Sequence, residues 1–243
     1  MKVASMTFLL LSVTITMPLA AQHAHSHGAD TSHMIGAADA AMSGAMSDAP
    51  MKHLELSPPR AATHADTVRA WEVVRQLRAA LAKYADTAVA TADGYKMFAP
   101  QLKEQRVFHF TDYKHAFLEA FRFDAEKPTS ILYTRTPDGS LKLIGAMYSA
   151  PKRMRPSRLD GRVPLSIARW HKHVNWCLPP RSEKDRWLER RGGLPLFGPE
   201  SPIATHAQCE DVGGNFYASL FGWMIHANVF AGDDLSAIFS HEH

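Results

Sequence analysis

Two histidines one residue apart carry the clearest chemical signal in the chain. His171-Lys172-His173 lies within the run Trp170 to Cys177. In an extended strand, alternate side chains share a face. His171 and His173 therefore point one way, about 7 Å apart, and Trp170, Lys172 and Val174 point the other. Paired imidazoles on a rigid strand suit a transition-metal ion. A second apolar run, Trp223 to Phe230, sets Met224, His226 and Asn228 on one face, and His226 is the expected third ligand. His109, between Phe108 and Phe110, is a candidate fourth. Each of these histidines also has a plainer reading as a hydrogen-bonded or packed strand residue. Met224 is a candidate soft ligand or a core residue. Trp170, Trp176 and Trp223 are read as packing that dries the site and orients the imidazoles. His115 and His206 are read as surface residues.

Three neutral imidazoles on zinc leave one position for a water whose pKa falls to about 7, the basis of hydration and hydrolysis. On copper or iron the same ligands support oxygen chemistry. Turnover also needs an acid or base, and only Asp112 and Glu210 offer themselves. Binding without turnover asks for less. The alternatives are thus a metal-handling protein, a metalloenzyme, or a structural module whose histidines merely pack.

The N-terminus points to export. Met1-Lys2, the apolar Phe8 to Ile15 and the small residues Pro18 to Ala21 form a signal sequence over residues 1–21, cleaved near Ala20 or Ala21. Residues 22–56 follow as a disordered leader with no apolar periodicity. It offers His23, His25, His27, His33 and Met34 for metal capture, with Met42, Met46, Met51 and His53 further along. Imidazole serves divalent copper and zinc, and thioether serves monovalent copper, so this mixture favours copper over zinc. The plainer reading is a solubilising tail that binds metals weakly.

Charge excludes other partners. Lysine and arginine number 27 against 24 aspartates and glutamates, too even a balance for a nucleic-acid surface. The basic run Lys152 to Arg158 reads as a solvated loop. No run after the signal is long enough to span a membrane. The only two cysteines, Cys177 and Cys209, are expected to form a disulfide in an exported chain. The alternative is Cys177 as a thiolate ligand beside the histidines.

The elements that would position these residues make one α+β domain over residues 57–240, with an N-terminal amphipathic helix packed on a mainly antiparallel sheet. Thr63 and Asp66 form a capping box, and Val68, Trp71, Val74, Leu77, Leu81 and Tyr84 recur at helical spacing. A second short helix is expected over residues 86–92. Val107 to Phe110 is a candidate strand and Tyr113 to Phe121 a helical turn or two. Residues 130–135 and 141–148 flank Pro137-Asp138-Gly139 as a β-hairpin. Residues 183–191 read as a charged helix stopped by Gly192-Gly193, and residues 194–214 as loop.

The run Val163 to Cys177 resembles a recurring motif of a group of exported bacterial proteins, as does Phe221-Gly222-Trp223-Met224-Ile225-His226. Phe108 to Tyr113 is more loosely similar. The resemblance covers most of residues 63–240 and implies one exported module with these histidines in recurring motifs. It implies no activity. Cupins also carry His-x-His on a strand but add a glutamate, absent from Val174-Asn175-Trp176-Cys177. The zinc site of alpha-type carbonic anhydrases is similar in its three strand histidines, without that family's surrounding motifs. His-Glu-x-x-His, Walker and dinucleotide glycine motifs and Gly-x-Ser-x-Gly are absent.

Overall fold

The structure, a computed structural model, describes residues 52–100, 105–230 and 232–240. The expected signal sequence and the leader positions His23, His25, His27, His33 and Met34 lie outside the described residues.

The fold begins earlier than composition implies. Residues expected to belong to the leader form β1 (Leu54–Leu56), which pairs antiparallel with the strand carrying His171 and His173. His53 is buried, and its Nε2 lies 2.6 Å from the Ser201 carbonyl oxygen. A three-residue strand is too short to show a period, and tertiary pairing decides it.

Helix α1 (His64–Leu81) starts at Thr63. The Thr63 hydroxyl accepts from the Asp66 amide, and the Asp66 carboxylate accepts from the Thr63 amide. Arg60 grips both Asp66 carboxylate oxygens at 2.6 Å and reaches Asp160 at 2.7 Å, tying the helix start to the short helical turn that ends at Asp160. The inward face is Ala70, Val73, Val74, Leu77 and Leu81. Val68, expected in the apolar stripe, is 55% exposed. Ala70 and Val73 take the inward side, and Trp71 packs at its margin. A 3₁₀ turn (Ala82–Ala85) and α2 (Thr87–Ala92) follow.

The remaining strands are β2 (Lys96–Met97), β3 (Phe108–Thr111), β4 (Ser130–Arg135), β5 (Leu141–Ala150), β6 (His171–Leu178) and β9 (Asn215–Ala227), with β7 (Arg190–Arg191) and β8 (Leu194–Pro195) in a separate ribbon. The short helices are α3 (Tyr113–Glu119), α4 (Pro156–Asp160), α5 (His206–Asp211) and α6 (Leu235–Ile238). The main sheet has seven strands in the order β1-β6-β9-β5-β4-β3-β2, every pair antiparallel. Helices and this sheet make an α+β fold. The β4–β5 hairpin forms around Thr136 to Ser140 as expected.

Residues 183–191 are not one helix. Lys184–Leu188 is a 3₁₀ turn, and Arg190-Arg191 pairs with Leu194-Pro195. Gly192 and Gly193, expected to stop a helix, both have positive φ and make the two-residue turn of that ribbon. Within the stretch expected to be loop, β8 and α5 are also present.

The sheet's two faces are sorted by the period of two. Phe108, Phe110, Ile131, Tyr133, Ala146, Tyr148, Ile225 and Ala227 enter the main core with the inward side of α1. Their alternates face the other way, namely His109, Leu132, Met147, Met224 and His226. Leu132, Met147 and Met224 form a smaller apolar cluster there.

Candidate functional site

The second face carries the histidines in series. His171 pairs with Met224 across β6 and β9, and His226 with Met147 across β9 and β5. His171 is fully buried, His226 is 6% exposed, and His173 and His109 are half-buried. Ring centroids are 5.4 Å apart for His109–His226, 5.3 Å for His226–His171 and 5.4 Å for His171–His173. The His109 and His226 Nε2 atoms are 3.4 Å apart. All four expected histidines are therefore neighbours in one chain of rings.

That approach says something about the sheet. β3 and β9 are separated by β4 and β5, three steps that would span about 14 Å in a flat sheet. Two histidine side chains reaching towards each other cannot close that gap to 3.4 Å unless the sheet curls towards this face. A register shift at Leu132/Tyr133 in the β4–β5 pair supplies a local bend.

A second irregularity sets the other end of the series. Between His171↔Met224 and His173↔Leu220 the register shifts. Lys172 alone on β6 faces Phe221, Gly222 and Trp223 on β9. Phe221 takes a left-handed φ of 63°, rare for a bulky residue and a mark of a bulge held by its surroundings. Gly222 permits it, because a Cβ there would fall 2.0 Å from the Ala150 carbonyl oxygen. The rings of His171 and His173 are 5.4 Å apart. Phe221 lies 6.4 Å from the His173 ring and 5.9 Å from Phe98, centroid to centroid.

The other expected participants divide. The Trp176 ring is 4.7 Å from that of His173 and is the tryptophan that meets the series. Trp170 and Trp223 belong to the main core. Lys172 sits over Trp223 at 4.3 Å and pairs with Glu55 at 2.8 Å, on the side away from the imidazoles. Asn228 does not extend the His226 face, because β9 ends at Ala227 and the Asn228 amide donates to the Ile238 carbonyl. Cys177 is bonded to Cys209, so it supplies no thiolate ligand. Such a bond is compatible with an exported protein. Asp112 spends its carboxylate on the Lys114 and His115 amides at the start of α3. Glu210 is exposed beside His206. His115, expected at the surface, is instead partly covered, 3.1 Å from the Tyr95 hydroxyl.

Two groups escaped sequence reading. Met147 is the cross-strand partner of His226. Its place on the same face follows only once β5 is known to adjoin β9. Glu119 is buried. It accepts from the Ser149 amide at 2.6 Å, from the Ser149 hydroxyl at 3.0 Å and from the Thr129 hydroxyl, while its Oε1 has no partner. Burial pushes its carboxyl up to about 7. Ser149 pairs in turn with Met224.

Among the described residues, no three His, Cys, Asp or Glu side chains stand already converged on a point where an ion would sit. The histidines form a series, with the close nitrogen pair at His109 and His226. None of the four histidines lines the open grooves of about 460 and 330 Å³, although Ser149, Phe221 and Gly222 line the larger. No protein-family model, no curated protein and no solved structure matches this chain.

Proposed function

We propose that this chain is an exported metal-binding protein, handling or buffering copper, with its folded site in the series His109, His226, His171 and His173. The observation that carries the reading is the 3.4 Å between the His109 and His226 Nε2 atoms. Two imidazole nitrogens that share a tetrahedral ion at bonds of 2.0–2.1 Å stand about 3.3 Å apart. The His171 ring, 5.3 Å from that of His226 centroid to centroid, supports a third imidazole beside the pair. The candidate acids Asp112 and Glu210 are engaged elsewhere or exposed, which favours binding over turnover. The leader's histidines and methionines support capture of the ion and point to copper.

The test is metal titration of the mature, metal-free chain, followed by calorimetry, native mass spectrometry and thermal melting. Copper should bind more tightly than zinc. An ion that binds only the folded state adds about 2.7 kcal/mol of stability at a hundred times its dissociation constant. Deleting residues 22–51 should lower the stoichiometry and leave one tight site. Replacing His109 and His226 together with alanine should remove that site. Failure of the leader-deleted chain to bind copper, zinc or nickel would overturn the proposal.

A further inference from the structure

The face that carries the histidines also carries two thioethers, each directly across a strand pair from a buried imidazole. Met147 stands opposite His226 and Met224 opposite His171. Directly opposed residues have Cβ atoms about 4.5–5.5 Å apart on the same face, so each sulfur lies within reach of a point that its partner's ring nitrogen can also reach. The two methionines are only 8% and 7% exposed and pack together with Leu132.

We propose that Met147 and Met224 are ligands, and that the site is a mixed imidazole–thioether centre selective for monovalent copper. This inference rests on the reading of the histidine series as a metal site and adds to it the ion's charge and the sulfur ligands. Thioether is a soft donor that favours monovalent copper, whereas imidazole alone does not distinguish it from zinc or divalent copper.

Charge argues the same way. The series and its two methionines contain no carboxylate. The buried carboxyl of Glu119 lies beside Ser149 and Thr129, which hold its Oε2, and is not among the residues of the series or its two methionines. The cationic Lys172 is turned to Glu55 and Trp223. Neutral ligands leave a buried ion's charge uncompensated, and the cost of burying that charge rises steeply with its size. A single positive charge among imidazoles, thioethers, Leu132 and partly buried Val107 and Ile144 is therefore tolerated better than a double one. Trp176 and Phe221 add apolar rings beside His173.

The test uses the mature chain and three variants: Met147→Leu, Met224→Leu and the double substitution. Leucine keeps the volume and apolar character of methionine, so the fold should hold, which melting curves would verify. Substoichiometric monovalent copper is added anaerobically in competition with bicinchoninate. Zinc affinity is measured in parallel, and X-ray absorption identifies the donor atoms. Partners outside the ligand set are commonly worth about 10–100-fold in metal affinity, so losing a ligand should weaken monovalent copper binding by at least tenfold per site. Zinc binding should move little. Sulfur scattering should be present in the parent and diminished in the double variant by the share these residues contribute, with leader methionines common to every sample. Unchanged copper affinity in the double variant, or equal losses for copper and zinc, would overturn the thioether inference and leave the histidine site standing. Absence of any metal binding by the parent chain would remove both.

Discussion

Replacing Glu119 with glutamine should stabilise the protein in alkaline solution, and much less in mild acid. The carboxyl is buried, and desolvation lifts it from the ordinary 4.5 to about 7. The folded chain therefore keeps a proton that the unfolded chain releases as pH rises through the interval between those values. Stability falls across that interval and is level above it. The gap between the two values corresponds to roughly 3 kcal/mol. Glutamine is neutral throughout. Its amide oxygen can still accept from Ser149 and Thr129, as the present carboxylate oxygen does. Urea unfolding of both proteins at pH 5, 6, 7 and 8, with a chelator present, gives the comparison. Every group other than residue 119 is common to both proteins and cancels in the difference. The variant's advantage should grow from about 1 kcal/mol at pH 5 towards about 3 kcal/mol at pH 8. Parallel curves, or an advantage that shrinks with rising pH, would refute the reasoning.

Two further outcomes follow from the strands that bear the histidines. Cys177 and Cys209 are 32 residues apart in sequence, and chain-entropy arithmetic gives about 3–4 kcal/mol for closing such a loop. Urea midpoints of the Cys177→Ala/Cys209→Ala variant should fall accordingly, and thiol titration of the unfolded, unreduced parent should find no free thiol. Gly222→Ala places a methyl group against the Ala150 carbonyl, and should cost about 1–3 kcal/mol in thermal or urea unfolding. It should also weaken metal binding through His173, whereas Gly139→Ala, at an exposed turn with no atom near the added carbon, should not.

Legibility in the sequence tracked the range of the interaction. The period of two placed His171 and His173 near each other, and the same rule placed Met224 and His226 on one face. Capping chemistry at Thr63 and Asp66 is local and was readable. The phase of α1 was not, because Val68 and Ala70 are both apolar and only the sheet decides which is covered. Met147 illustrates the same limit. Nothing in its own strand says that β9 is its neighbour. The insertion at Phe221 and Gly222 is hidden because Phe-Gly-Trp reads as uninterrupted strand, and its register shift is a property of two strands rather than one. Gly192-Gly193 suits both a helix stop and a tight turn, and pairing of Arg191 with Leu194 selects the turn. β1 is a strand only because β6 offers it an edge.

The curl of the sheet has a kinetic corollary. It joins His109 to His226 across 117 positions of sequence, and His226 lies on the penultimate strand residue of β9. Contacts of such long range form late, after the entropy of closing large loops has been met. A chain emerging from synthesis or transport can display His109, and then His171 with His173, long before the remaining imidazole arrives. The series of imidazoles therefore cannot serve as an early template for folding. On the proposed metal-binding reading, loading would follow assembly, into a protein whose shape is already decided.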